Sequence, residues 1–153
     1  MRRWNGWGDE ATVVDLPAHG EAFLAELIGG GQKLADATLA AVLVKVPASR
    51  LADHPLVVTN AEDRVRHARG QSRPDWLAMR SGDFGVFPDG VAYPETAAQI
   101  RELMSWAVEH NVLLIPYGGG TSVAGHINPQ AGDQPERGRS LARMGRSLDL
   151  DEQ

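Results

Sequence analysis

Residues 112–126 read VLLIPYGGGTSVAGH. An apolar run meets Pro116 and Tyr117, then three consecutive glycines (Gly118, Gly119, Gly120), two hydroxyl residues (Thr121, Ser122) and, a little further on, Gly125. Successive glycines remove Cβ atoms and permit positive φ. Several backbone N–H groups can then point into one concavity suited to an anion. Thr121 and Ser122 add hydroxyl donors. A hydrogen bond to a charged oxygen contributes about 1.5–3 kcal/mol, so converging donors can hold a diphosphate without a lysine. The plain alternative is a glycine-rich turn between two elements.

Two common phosphate motifs fail on this loop. The P-loop pattern G-x-x-x-x-G-K-[ST] is met in spacing by Gly120 and Gly125, but His126 and Ile127 stand where lysine and a hydroxyl residue are required. The pattern G-x-G-x-x-G is met by Gly118 and Gly120, but Val123 occupies the third glycine position. A helix directly after the loop is not expected either, because GHINPQAGDQP is rich in breakers.

Upstream, VAY (91–93) predicts a short strand, and YPETAAQIRELMSWAVEHN predicts the clearest helix of the chain. Thr96 and Gln99 form a capping-box pattern. Ala97, Ile100, Leu103, Met104, Ala107 and Val108 share one face, and that face, with Trp106, is expected in the core. Asn111 suits the left-handed residue that ends such a helix. VLLI (112–115) reads as a buried strand. Strand, helix and strand with short joints predict a βαβ unit with its strands as parallel neighbours. The glycine loop then lies at the carboxyl end of a parallel strand, where ligands collect in open α/β sheets.

Before about residue 85 the chain reads as helices and loops. PAHGEAFLAELI (17–28) places Phe23, Leu24, Leu27 and Ile28 at helical spacing and is stopped by Gly29, Gly30 and Gly31. LADATLAAVLVKV predicts a second short helix closed by Pro47, and PDWLAMRSG a third, with Pro74 near its start and Gly82 near its end. The domain reading is therefore a helical N-terminal region over 1–85 and a strand-containing region over 86–153.

Composition narrows the function. The 153 residues suffice for about one ordinary domain. A formal charge of −5 argues against a general nucleic-acid binder. Without cysteine there is no disulfide framework and no thiolate chemistry, which suits a reducing compartment. Neither a signal peptide nor a transmembrane helix is expected from MRRWNGWGDEATVVDL. His19, His54, His67 and His110 lack paired ligand spacing, so no metal site is expected. Arg64, Arg66, Arg69, Arg73 and Arg80 form a basic run, read as a solvated polar face. Trp4 and Trp7 read as an aromatic arm packed on the body. Asp83-Phe84-Gly85 spells a kinase signature without its partners, and no G-x-S-x-G is present.

PYGGGTS (116–122) resembles the diphosphate-binding loop of FAD enzymes of the p-cresol methylhydroxylase and vanillyl-alcohol oxidase type, as does the strand and helix before it. RRWNGWGDE, RVRHARGQSRPDWLAMRSG (64–82) and the FPDGVAYPET join are similar to the alkyldihydroxyacetonephosphate synthases within that group. The resemblance implies an α+β fold: a helical N-terminal region followed by the first, βαβ-containing half of the FAD-binding domain. SLARMGRSLDLDEQ looks like the lead-in to the second half, so the chain reads as the amino-terminal portion of a longer flavoenzyme. The resemblance further implies FAD as cofactor, with Pro116, Tyr117, Gly118, Gly119, Gly120, Thr121 and Ser122 along its diphosphate. The implied reaction exchanges the acyl group of an acyl-dihydroxyacetone phosphate for a long-chain alcohol, with the flavin as carrier and no net redox. No catalytic residue can be carried over onto this chain. His126 departs from the family's usual glycine. It reads as a loop histidine, the alternative being a covalent flavin attachment. A small-molecule or lipid-like substrate, a homodimer for the full-length enzyme, no nucleic-acid partner and a cytoplasmic location complete the expectations. The alternatives are an FAD-linked oxidase or dehydrogenase of a 2-hydroxy acid such as D-lactate or glycolate, and a non-catalytic remnant or interaction module.

Overall fold

The computed structural model describes residues 3–32, 34–131 and 139–142, the last four by their backbone alone. Most of SLARMGRSLDLDEQ and the end of GHINPQAGDQP therefore lie outside the described residues. In chain order the elements are α1 (Gly20–Ile28), α2 (Leu39–Leu43), β1 (Val57–Val58), α3 (Ala61–Arg66), α4 (Arg73–Ser81), β2 (Gly90–Ala92), α5 (Ala97–Glu109), β3 (Ile115–Tyr117) and β4 (Arg139–Ala142). Helices and a few strands make the α+β class expected from the sequence.

Local chemistry sets the helix ends. Thr38, Asn60, Ser72 and Thr96 each accept a hydrogen bond from the backbone N–H three residues on, which satisfies a donor that the first turn leaves free. Both α4 and α5 carry full capping boxes, Ser72 with Asp75 and Thr96 with Gln99. Gly82 ends α4 at φ 71°, and Asn111, at φ 50°, follows the end of α5.

Three expectations need correction. The region before residue 85 is not only helices and loops, because β1 pairs antiparallel with β2, Val57 opposite Ala92 and Val58 opposite Val91. The strand after α5 is Ile115–Tyr117 rather than 112–115. The chain spends Val112 to Leu114 leaving the helix, where the Val112 N–H returns to the Ala107 carbonyl, and Leu113 is 47% exposed. The two strands around α5 are parallel but not neighbours. The sheet order is β1-β2-β4-β3, and β4 pairs in parallel with both β2 and β3. A helical crossover leaves room for one strand between its ends, and β4 fills that place.

Two apolar clusters hold the chain together. One joins Val42, Val65, Ala68, Met79, Phe84 and Phe87, drawing α2, α3, α4 and the approach to β2 into one core. Trp4 packs there, its ring stacked on Phe84 at 6.4 Å, while Trp7 is exposed, so only the first half of the aromatic arm is seated. The second cluster, Val91, Tyr117 and Ile127, lies against the sheet, with Val58, Tyr93 and Ile115 packed on it. On α5 the buried side chains are Leu103, Trp106 and Ala107. Met104 and Val108, expected on the core face, are 56% and 84% exposed. The buried stripe is narrower than the apolar one and is rotated toward Trp106. The α1 face of Phe23, Leu24, Leu27 and Ile28 is exposed throughout.

Candidate functional site

The glycine loop leaves the sheet at the carboxyl end of β3, in the place expected for it. All seven residues from Pro116 to Ser122 are contiguous there, but they do different things. Pro116 and Tyr117 belong to the strand itself. The Tyr117 side chain points inward, 3% exposed, and its hydroxyl is shared between the carbonyls of Arg66 (3.2 Å) and Arg69 (3.4 Å). Only its backbone can face a ligand. Gly118 and Gly119 are exposed, and a Cβ built on Gly118 would meet nothing within 4 Å. The missing side chain there leaves an open face rather than relieving a clash. Gly120 is buried and turns the chain at φ 69°, a conformation costly for any residue with a Cβ. Among the described residues no carbonyl or side chain occupies the amides of Gly120 and Thr121.

Ser122 is the hinge of the loop. Its carbonyl accepts the Gln71 N–H at 2.7 Å and is thereby turned toward the body. Its hydroxyl accepts the Ala124 N–H at 3.3 Å and lies 3.2 Å from Nδ1 of His126. His126 is thus an exposed loop residue that helps fix the serine. An anion nest needs amides outward and carbonyls inward. The open face at Gly118, the left-handed Gly120 and the inward Ser122 carbonyl are compatible with that requirement.

Behind the loop stands a set of residues that the sequence reading missed. The Gly70 N–H donates to Oδ1 of Asn128 at 3.1 Å, and Nδ2 of Asn128 donates to Oδ1 of Asp75 at 2.6 Å. Asp75 is 2% exposed and accepts in addition from the backbone and hydroxyl of Ser72. The signal was legible: Ser72-x-x-Asp75 is itself a capping box.

The electrostatics correct the reading of the arginine run as a solvated face. Arg64 is 2% exposed and donates to the carbonyls of Pro88 (2.6 Å) and Pro47 (2.7 Å). Burial pulls its guanidinium below the usual range, partly offset by Asp89. Arg69 is also pulled down by burial, with Asp75 and Asp83 opposing. Arg66 bridges Glu10 and Glu62, and Arg80 holds Asp36 at 2.9 Å. Four of the five arginines are thus committed to the fold or to nearby acids. His67 lies at the sheet's carboxyl edge, its ring against Tyr93 and Tyr117. Among the described residues no group of three or more His, Cys, Asp or Glu is placed to hold a metal ion. Nor is any described helix long and apolar enough to cross a membrane.

Residues 88–151 match the family model described as FAD binding domain, and this stretch contains β2, α5, β3 and the whole glycine loop. The match indicates FAD as the cofactor of this part of the chain. Over nearly its whole length the chain is, more particularly, similar to alkyldihydroxyacetonephosphate synthases. It is 26% identical to that of Trypanosoma brucei brucei and 24% identical to that of Dictyostelium discoideum, with 97% of this chain covered in each case. A solved structure of an alkyldihydroxyacetonephosphate synthase shares the fold, with a TM-score of 0.68 at 20% identity over 94% of this chain. The chain spans about 30% of the length of these curated relatives.

Proposed function

We propose that this chain is the portion of a flavoenzyme that binds the FAD diphosphate, and that the enzyme is of the alkyldihydroxyacetonephosphate synthase kind. Gly118, Gly119, Gly120, Thr121 and Ser122 form the cradle, and Pro116 and Tyr117 deliver it from the strand. One observation carries the reading. A loop with an open, Cβ-free face and a left-handed glycine leaves the carboxyl end of a parallel strand, inside the segment that matches an FAD binding domain. When bound, the flavin would supply the carrier chemistry by which an acyl group is exchanged for a long-chain alcohol. This chain's own part is to bind the diphosphate with backbone amides, orient it along the sheet edge and keep carbonyl oxygens away from it. The lipid-like substrate, catalysis and a homodimeric assembly belong in this proposal to the full-length enzyme, in a cytoplasmic setting that suits a cysteine-free chain. By itself the 153-residue chain is inactive.

Equilibrium dialysis of the chain against FAD, ADP and riboflavin tests the reading. FAD and ADP should bind and riboflavin should not, because the loop recognises the diphosphate. Riboflavin binding as tightly as FAD would remove the diphosphate from the site.

A further inference from the structure

We infer that the turn between α3 and α4, together with Asp75 and Asn128, is a positioning unit that sets the shape of the diphosphate loop, with Gly70 gauging its distance. The inference rests on the FAD reading above and extends it to residues outside the loop.

Both ends of the loop are tied to the same short stretch of chain. At its start, the Tyr117 hydroxyl is held by the carbonyls of Arg66 and Arg69. At its end, the Gln71 N–H holds the Ser122 carbonyl at 2.7 Å. Beyond it, Asn128 links the Gly70 N–H to the Asp75 carboxylate. Asp75 takes donors from Ser72 and Asn128, and a carboxylate offers acceptors only. The Asn128 amide can therefore face it only with its NH2, which leaves the amide oxygen for Gly70. The chain of donors has one polarity from Gly70 to α4.

Gly70 is glycine for lack of space. A Cβ there would come under 3.0 Å from the Ser122 carbonyl oxygen, and would also press on Asp75 (3.3 Å) and Ile127 (3.4 Å). That oxygen is the one turned inward. The described chain has no cis peptide bonds, and in a trans peptide the N–H points opposite to the C=O. Holding the Ser122 carbonyl against Gln71 therefore aims the Val123 N–H away from the turn. Val123 itself is 71% exposed.

The test uses the 153-residue chain and its affinity for FAD, read by quenching of flavin fluorescence, with ADP followed in parallel by amide NMR shifts. Gly70→Ala should weaken both ligands by about tenfold or more, since it displaces the Ser122 carbonyl. Asp75→Asn or Asn128→Asp alone should also weaken them, because like groups then face each other. The double variant D75N/N128D should return to within about twofold of the parent. In it the new amide on α4 donates to the new carboxylate beyond the loop, and that carboxylate still accepts from the Gly70 N–H. A merely structural role predicts unchanged affinity whenever circular dichroism shows a variant folded. Folded single variants that bind FAD like the parent would overturn the inference while leaving the FAD reading intact. A folded parent chain that binds neither FAD nor ADP would end both. Should Gly70→Ala fail to fold, the exchange between positions 75 and 128 still decides.

Discussion

Asp63 and Arg64 are neighbours on α3 and meet different environments. Arg64 turns inward and replaces water with two backbone carbonyls, a solution that a charge pattern cannot announce. Asp63 stays near the surface, where burial alone would raise its carboxyl. Hydrogen bonds from Tyr93 and Asn60, aided by the charges of His67 and Arg66, hold it below the ordinary value of 3.8 instead. A carboxyl lowered on folding adds stability above its unfolded pKa and loses it as pH falls through the folded one. Tyr93→Phe removes one lowering bond. The variant should be less stable than the parent near neutral pH, and the gap should narrow as the pH falls below 3.8. Urea midpoints across that range provide the check, and a gap that stays constant would show that the Tyr93 bond is not linked to ionisation of Asp63. Residue chemistry of this kind was partly open to sequence reading. The glycine loop's place and its hydroxyl residues were visible, but the inward turn of Tyr117 and the engagement of Ser122 depend on Arg66, Arg69 and Gln71, some fifty residues away in sequence.

Among the elements, those with local signals were the legible ones. Thr96 with Gln99, Pro74, Gly82 and Asn111 marked helix ends because caps are decided within one turn. β3 was misplaced because an apolar run attracted the strand and Pro116 repelled it. Yet among the described residues β3 lies at the end of the strand order and pairs only with β4, and proline is tolerated on an edge. β1 is two residues long, too short for any periodicity. The face of α5 was legible only in part, and mutation separates its two sides. Leu103→Ala, at a fully buried site, should cost about 2–5 kcal/mol. Met104→Gln, one residue on, should stay within about 0.5 kcal/mol of the parent. Thr96→Ala should fall between them at about 1 kcal/mol through the lost cap. Thermal or urea unfolding of the three variants gives the order, and equal losses at 103 and 104 would contradict the observed rotation of the helix.

For the molecule as a whole, the sheet is the least legible feature, because β4 is far from both partners in the sequence and carries no signal of which gap it enters. Its position makes a strong expectation. A chain ended at residue 131 leaves β3 without a partner and β2 with only β1. An isolated strand has no independent stability. Such a chain should lose the cooperative melting of the parent and expose the Val91, Tyr117 and Ile127 cluster to dye. Calorimetry and dye binding provide the measurement, and a truncated chain melting as sharply as the parent would show that β4 is dispensable.

That central strand also imposes a schedule on the ribosome. β2, α5 and the glycine loop emerge first, but their shared frame waits for residues 139–142 to clear the exit tunnel. Until then β3, which delivers the glycine loop, lacks the strand it pairs with. On the function proposed above, cofactor loading would follow translation of this segment rather than guide it, and a translational pause just after the loop would prolong a stage at which the coenzyme gives the chain no protection from aggregation.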